Sequence, residues 1–432
     1  MELIKKRLFS QEIILQFKMS DKDFTRNRKQ SFHSTIVFMI NFLTKSLSVE
    51  IANFISFIKY NMPSATIHGF SKSAFVQYRK KIKPEVFKSL SDSLIEEFYT
   101  DNDDSIKSWK GFRLLAVDGS RLVLPDTMEL ESIYGKTRNQ SGTGVVQARI
   151  SVLYDVLNRF VIDGVLAPLS TGESVLALNH LAFAKTKDLI IYDRGYPSFN
   201  LIYEHFDKGV DFLIRVKADF SNITREFYQS GLQSAVVRMQ PGKNIKLSDK
   251  PYSKDAFKEV RLVRVELPAG ESEILISSLF DSQKYPDSIF KELYFLRWGV
   301  ETFYDELKNK IKVEHFSGYS EHCILQDFYA ALFVCNVQSL IVGEINDELA
   351  KESAGYKYQY KVNNNLSYGF LKDRIILLFF SDKDMNEIVS ELKTLFKKHS
   401  IPIRPNRKFE RDTDKYRKRD KPKLLKNSKY TF

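Results

Sequence analysis

The chain has 432 residues, enough for about two to four domains, and its 43% hydrophobic and 28% charged residues exclude a disordered or fibrous protein. Its 66 lysines and arginines outnumber the 54 aspartates and glutamates, and the net charge of +12 favours a polyanionic partner.

The cysteines and the apolar segments predict a cytoplasmic protein with no membrane span. Cys323 and Cys335 lie twelve residues apart in a helical pattern and exclude a disulfide framework, which indicates a reducing compartment. The first residues, MELIKKRLFSQEIILQFK, carry charges where a secretory signal would be apolar. The longest apolar run, Ile36–Leu43, is far shorter than the roughly 20 residues that a membrane helix needs.

Residues 1–108 predict a helical N-terminal domain. Helical apolar patterns punctuated by Pro63 and Pro84 lead to a short helix that begins near Ser71 and ends in three consecutive cations, Arg79, Lys80 and Lys81. A short basic helix after a turn is typical of a helix-turn-helix DNA reader, so these three cations are candidate DNA contacts. The alternative is a basic helix end that interacts with its own dipole.

Residues 109–218 predict a mixed sheet flanked by helices. The pattern gives three strands, a helix, a strand, a helix and a final strand, which is an α/β arrangement. In chain order these elements are Phe112–Val117, Val145–Tyr154, Phe160–Leu166, Glu173–Ala184, Leu189–Tyr192, Pro197–Phe206 and Phe212–Val216.

The C-terminal half predicts three further regions. Residues 219–286 read as a β-rich insertion, and 287–350 return to the α/β pattern as its second part, with two helices. Residues 351–432 predict a helical region with a basic tail, because 404–432 contains 12 lysines and arginines against 4 acids. We expect this tail to be extended until it binds DNA.

One stretch, YFLRWGVETFYDELK from Tyr294 to Lys308, predicts a helix with two opposed faces. At 100° per residue, one face is an apolar stripe suited to packing. The other face carries a phenol, two cations and one carboxylate, namely Tyr294, Arg297, Glu301 and Lys308. Such a face is often simply solvated, and that alternative remains open for the stretch taken alone.

Three acids, Asp118, Asp193 and Glu301, stand at the ends of predicted strands or on this polar face. Strand ends in α/β sheets open onto the ligand crevice, so the sheet could bring the acids together. Converging carboxylates repel one another and favour a divalent cation, and ligation by oxygen alone selects Mg²⁺, with Mn²⁺ as a substitute. Two such ions would support phosphodiester chemistry. The alternative for each aspartate is a turn or cap residue.

The spacing of Tyr294, Arg297, Glu301 and Lys308 resembles the YREK signature of bacterial DDE transposases of the insertion-sequence-four family. Asp118 in VDGSRLVLP and Asp193 in YDRGYPSF resemble the two aspartates of that family. The resemblance implies an RNase H-like domain in which Asp118, Asp193 and Glu301 hold the metal and are catalytic. It also implies that the element moves by a cut-and-paste reaction with a DNA hairpin as intermediate. The resemblance further implies that a homodimer carries out this reaction and cleaves in trans.

The other polar and aromatic side chains of the Tyr294–Lys308 stretch are candidate DNA contacts because of their chemistry. Arg297 and Lys308 suit phosphate clamping, Tyr294 can donate to a phosphate, and Trp298 borders the stripe as a candidate DNA contact or as ordinary packing. We expect the N-terminal domain to read the terminal inverted repeats of double-stranded DNA. Two alternatives remain: a relative that binds DNA without cutting it, and an RNase H-like nuclease that cuts without joining.

Overall fold

The computed structural model describes residues 1–26, 30–41, 43–63, 69–101, 103–138, 144–242, 248, 250–266 and 272–404. The predicted basic tail therefore lies outside the described residues except for Arg404, which is exposed.

The first half of the chain begins with helices and then alternates strands and helices. Its elements are α1 (Glu2–Leu8), α2 (Gln11–Phe17), α3 (Phe32–Ile40), α4 (Leu47–Asn61), α5 (Lys72–Arg79), α6 (Glu85–Asp101), β1 (Arg113–Val123), α7 (Met128–Tyr134), β2 (Lys136–Arg138), β3 (Gly144–Asp155), β4 (Val161–Ala167), α8 (Glu173–His180), β5 (Asp188–Tyr192), α9 (Phe199–Lys208) and β6 (Asp211–Val216).

The second half contains three more long strands and is otherwise mainly helical. Its elements are α10 (Asn222–Ser230), β7 (Ser234–Met239), β8 (Lys258–Glu266), β9 (Ser272–Ser277), α11 (Ile289–Phe295), α12 (Trp298–Asp305), α13 (Glu321–Glu352), β10 (Tyr360–Lys361), α14 (Asn364–Leu371), α15 (Arg374–Phe380), α16 (Met385–Lys398) and β11 (Ile401–Pro402).

The chain divides into two compact units that differ from the predicted domain boundaries. The first unit comprises the described parts of residues 1–106, 122–148 and 305–404, and the second comprises 107–121 and 149–304. The first unit is mainly helical: α13 runs beside α6, and α3, α14 and α16 also pack on α13.

The second unit is built on a mixed sheet in which the long strands follow the order β3-β1-β5-β6-β9-β8-β7 and β4 pairs with β3. β3 pairs antiparallel with β4, whereas β5 pairs parallel with both β1 and β6. The sheet therefore combines parallel and antiparallel pairs, and the predicted mixed sheet flanked by helices is confirmed.

Helices cover both faces of this sheet, as the strand alternation requires. Leu189 and Ile191 of β5 pack in one core with Phe290 and Leu293 of α11. Tyr192 faces the opposite side, where its hydroxyl bonds to His205 of α9 at 2.9 Å. The residues that follow β5 therefore emerge between two packed layers.

The β-rich segment predicted for residues 219–286 contains β7, β8 and β9, which pair with one another and extend the central sheet through β9 and β6. Two sequence expectations need correction. α10 was not predicted from the sequence. The predicted continuous helix from Tyr294 to Lys308 is instead α11, a turn at Leu296 and Arg297, α12, and a π-helical turn at Glu306–Lys310.

Gly299 gives a physical reason for the interruption of this helix. A Cβ atom at Gly299 would lie 3.3 Å from the Cβ of Val156, so the missing side chain lets the start of α12 approach the end of β3 closely. Glycine also has a low helix propensity, which favours a change of direction at this point.

The helix α13 is long and apolar enough to cross a membrane by length and composition. However, 72% of its most apolar window is buried inside the protein, as is usual for a core helix. Both cysteines lie on α13, where they are buried and do not form a disulfide.

His205, under the sheet, makes stability depend on pH. Its Nδ1–H donates to the carbonyl of Val210 at 2.9 Å, and complete burial lowers its pKa to about 4 from 6.5. Between these values the unfolded chain binds the proton more tightly, so the free energy of unfolding falls as pH falls. We expect a contribution of about 2 kcal/mol to be lost between pH 7.5 and pH 5.

Urea unfolding of the wild type and His205→Gln at both pH values measures this contribution. The stability difference between them should shrink at pH 5, because the variant has no imidazole to protonate. The exposed His399 provides a matched control, and His399→Gln should keep a constant difference. An unchanged difference for His205→Gln would contradict the prediction.

Candidate active site

Asp118 and Asp193 are adjacent because their strands are in register. The parallel pairing of β1 with β5 runs from Arg113 opposite Asp188 to Val117 opposite Tyr192, and the two aspartates follow directly. Asp193 follows the end of β5 as predicted, whereas Asp118 lies within β1 rather than at its end. Strand alternation directs Asp118 to the same face as Leu114, which is the face covered by α11.

The α11–α12 segment brings Glu301 to this face through Arg297. The Arg297 Nη2 donates to Glu301 Oε1 at 2.7 Å, and its Nη1 lies 3.9 Å from Asp118 Oδ2. The Tyr294 hydroxyl donates to Asp193 Oδ1 at 2.8 Å. The structure therefore gathers the three acids around one guanidinium, despite the interruption of the helix.

Asp118 is an acid whose pKa is raised by its surroundings. Burial, followed by the charges of Glu301 and Asp193, raises the pKa of Asp118 to about 6. The hydrogen bond from the Gly119 N–H and the charge of Arg297 act against this rise without cancelling it. This carboxylate therefore gains most from an added positive charge.

The pKa of Asp193 is shifted in the opposite direction, below its usual value. Burial alone would raise its pKa, but the Arg194 backbone N–H, the Tyr294 hydroxyl and the charges of Arg297 and Arg215 together lower it. Arg297 itself holds its proton firmly: although burial would lower its pKa, Tyr294 and the nearby carboxylates raise it. The site thus combines an aspartate whose pKa is lowered and a charged arginine with an aspartate whose pKa is raised.

The acids fit a divalent cation in ligand type. Their side chains are partly accessible, at 21% for Asp118, 31% for Asp193 and 36% for Glu301, and all their donors are oxygen atoms, which Mg²⁺ and Mn²⁺ prefer. Among the described residues, no group of three or more His, Cys, Asp or Glu side chains is close enough to hold a metal. Instead, the guanidinium of Arg297 lies between the carboxylates of Asp118 and Glu301.

The other predicted residues of this stretch differ in their surroundings. Arg297 is only 4% exposed and its Nη2 donates to Glu301, whereas its Nε has no hydrogen-bond partner. Trp298 is 42% exposed at the start of α12 and remains available for contact. Lys308 belongs to the π-helical turn, in the other compact unit.

The three cations predicted as DNA contacts at the end of α5 differ in their exposure. Arg79 is 1% exposed and makes an ion pair with Asp327 at 2.8 Å, which places it in the interior of the first unit rather than on a DNA-binding surface. Lys80 is exposed, and Lys81 is partly exposed and pairs with Asp23 at 3.2 Å. Only the two lysines keep the position that a DNA contact requires.

Sequence reasoning missed three residues beside the acids. Arg215 of β6 lies 3.6 Å from Asp193 and pairs with Glu273 of β9. The Tyr304 hydroxyl donates to the Asp118 carbonyl at 2.7 Å. A charged residue inside the apolar strand DFLIRV was a usable signal for Arg215, whereas only the fold reveals Tyr304 and Glu273.

Residues 109–337 match the family described as "Transposase DDE domain". The chain is similar to the putative transposase InsZ of Escherichia coli (strain K12), with 26% identity over 147 residues, which are 32% of this chain and 47% of that relative. It is also similar to the transposase for insertion sequence element IS231F of Bacillus thuringiensis subsp. israelensis, with 20% identity over 75% of this chain and 74% of that relative.

Two further similarities have comparable coverage. The transposase InsG for insertion sequence element IS4 of Escherichia coli (strain K12) is 21% identical over 78% of this chain and 75% of its own length. Among solved structures, the "piggyBac transposase synaptic complex with hairpin DNA" aligns with a TM-score of 0.43 and 11% identity, over 92% of this chain and 80% of that one. Since the family match covers more than half of the sequence and includes Asp118, Asp193 and Glu301, the chain belongs to the transposase DDE domain family.

Proposed function

We propose that this DNA transposase moves an insertion sequence by a cut-and-paste reaction in which Asp118, Asp193 and Glu301 form the catalytic centre. The observation that carries the proposal is the register of β1 and β5, which makes the two aspartates neighbours. Glu301 joins them through its hydrogen bond to Arg297. Partly exposed carboxylates that converge beside arginines suit a phosphodiester substrate better than a structural role.

A divalent cation, Mg²⁺ or Mn²⁺, bound by these acids would offset the charge that develops on the phosphate and lower the pKa of an attacking water. The chain supports such a cation through its own residues. Tyr294 and Arg215 hold Asp193 in place and ionised, whereas Asp118 is the acid that a positive neighbour would stabilise most. Arg297 supplies a fork-shaped cation that suits a phosphate as well as a carboxylate.

The proposed reaction has four chemical steps. Water attacks a phosphodiester at the element end, and the P–O3′ bond breaks to leave a 3′-hydroxyl and a 5′-phosphate. The 3′-hydroxyl then attacks the opposite strand, which forms a hairpin and releases the flanking DNA. After the hairpin reopens by hydrolysis, the 3′-hydroxyl attacks target DNA and joins the ends to it.

The wider assembly follows from the same proposal. Double-stranded DNA, as terminal inverted repeats and as target, is the partner that the net charge of +12 favours. Lys80, Lys81, Lys308 and Trp298 are proposed DNA contacts outside the acid cluster. We also propose that a homodimer acts on paired ends and that the protein works in the bacterial cytoplasm, at the nucleoid when it is bound to DNA.

A cleavage assay on a labelled duplex that carries the element end tests the proposal. With Mg²⁺ we expect a nick at the end, then a hairpin and a strand-transfer product, and no product with EDTA. A pre-cleaved end tests joining separately, because it bypasses the first cut. Binding without cleavage would show a DNA-binding relative, and cleavage without joining of pre-cleaved ends would show a nuclease; either result would contradict the proposal.

A further inference from the structure

A fourth carboxylate, that of Glu173, lies against the segments that follow both catalytic aspartates. Gly119 directly follows Asp118, and a Cβ atom on it would lie 3.4 Å from Glu173 Oε1. Gly195 follows Asp193 by two residues, and a Cβ atom on it would lie 3.4 Å from Glu173 Oε2. Each oxygen of one carboxylate thus lies beside one glycine, at ordinary van der Waals distance from the position of an added Cβ atom.

Glu173 lies on the opposite side of the sheet from Glu301. Because side chains alternate along β1, Gly119 faces away from the side to which Asp118 points. Glu173 is the first residue of α8, on Gly119's side. Its carboxylate therefore lies against the two aspartate-bearing segments on the sheet face opposite the acid cluster, and it is not part of that cluster.

Neighbouring residues fix the position of this carboxylate. Arg149 of β3 makes an ion pair with it, and a second Arg149 nitrogen donates to the Leu169 carbonyl at 3.4 Å. The Tyr196 hydroxyl lies 3.4 Å from the same Cβ position on Gly119, in a side chain that is only 2% exposed, and it has no hydrogen-bond partner. Tyr196 also closes the turn after β5 by donating its N–H to the Asp193 carbonyl at 3.1 Å.

The other end of α8 is also anchored. His180, its last residue, is completely buried and bonds to Asp163 of β4 at 2.7 Å and to Ser151 of β3 at 2.9 Å. With α8 held at its C-terminal end by His180 and at its N-terminal end by Arg149, Glu173 has a fixed location. A carboxylate held against both aspartate-bearing segments restricts how far either of them can move toward α8.

We propose that Glu173, held by Arg149, is a positioning residue that sets the spacing of Asp118 and Asp193. The inference rests on the proposed function, in which these aspartates share a cation. Truncation of Glu173 would remove its contact with both glycines and leave Arg149 without its carboxylate. Loss of residues that orient metal ligands typically lowers metal affinity by about 10–100-fold.

Binding of Mn²⁺ to the full-length protein, followed by isothermal titration calorimetry and by electron paramagnetic resonance, tests this role without a need for activity. We expect Glu173→Ala to weaken Mn²⁺ binding about tenfold or more. Glu173→Gln keeps the size of the side chain and an oxygen that can accept from Arg149, so its affinity should stay within about threefold of the wild type. Asn179→Ala, on the exposed side of α8, is the matched control and should leave affinity unchanged.

The set of variants separates the two proposals. If the wild type binds no Mn²⁺, or Asp118→Asn binds it equally well, the proposed function fails. If the wild type binds Mn²⁺ and Asp118→Asn does not, unchanged affinity in Glu173→Ala overturns the positioning role alone. A loss in Glu173→Gln as large as in Glu173→Ala would also overturn it, because the contact with the glycines would then not be the cause.

Discussion

Replacing any one of the three acids, as Asp118→Asn, Asp193→Asn or Glu301→Gln, is expected to lower the rate of DNA cleavage at least 10³-fold. Each substitution keeps the shape of the side chain and removes a negative oxygen ligand. A bound cation supplies several kcal/mol of charge stabilisation in phosphoryl chemistry, and losing about 4 kcal/mol corresponds to a factor of about 10³. The measurement is the single-turnover rate of nicking at the element end with Mg²⁺.

DNA affinity and folding provide the controls for these variants. Affinity for the element end, measured by fluorescence anisotropy in EDTA, should be retained, because fewer negative charges face the phosphates. Asp118→Asn should unfold at the same or a higher temperature in EDTA. Burial and two neighbouring acids raise the pKa of Asp118 to about 6, so its charge opposes folding at neutral pH. Full cleavage by any variant would exclude that residue from the catalytic centre.

Arg79→Ala is expected to lower the free energy of unfolding by about 3 kcal/mol or more, because it leaves a largely buried carboxylate without its partner. The guanidinium of Arg79 donates to Gln326 Oε1 at 2.9 Å, to Asp327 Oδ1 at 2.8 Å and to the Cys323 carbonyl at 3.2 Å. These bonds join the end of α5 to the start of α13 within the first unit. Urea unfolding followed by far-ultraviolet circular dichroism measures the loss.

Lys80 is the matched control, since it is the next residue and is exposed. Lys80→Ala should change the free energy of unfolding by no more than about 0.5 kcal/mol and should weaken DNA binding. The two neighbours thus separate a structural cation from a proposed DNA-binding cation. If Arg79→Ala kept full stability and lost only DNA affinity, the internal role of Arg79 would be contradicted.

The local pattern predicted the strands that carry the site, because short apolar runs rich in β-branched residues and bounded by turn residues favour buried strands over helices. β5 was expected at Leu189–Tyr192 and extends over Asp188–Tyr192. The helix expected at Pro197–Phe206 is α9, Phe199–Lys208, which ends before Gly209, where φ is +64°. The resemblance to DDE transposases, which rests on short motifs of fixed spacing, is confirmed by the family match.

The helix geometry near Glu301 and the burial of individual cations could not be predicted from the sequence. A helical wheel assumes one uninterrupted helix, but the segment is interrupted at Leu296 and Arg297 and contains a π-helical turn further on. Arg79 reads as one of three equivalent cations in sequence, yet it is buried whereas Lys80 is exposed. Burial depends on what packs against a residue, and the partners of Arg79 lie more than 200 positions away.

The sequence by itself determined the α/β class, the strands that end at or contain the aspartates, and the family, because periodicity and short motifs are local properties of the chain. The tertiary structure alone decided that Asp118 and Asp193 stand in register, that Arg297 joins Asp118 to Glu301, and that Glu173 lies behind both aspartates. These relations depend on strand pairing and on the close approach of helices at glycines. They join residues that are far apart in the chain, and no local pattern encodes such distances.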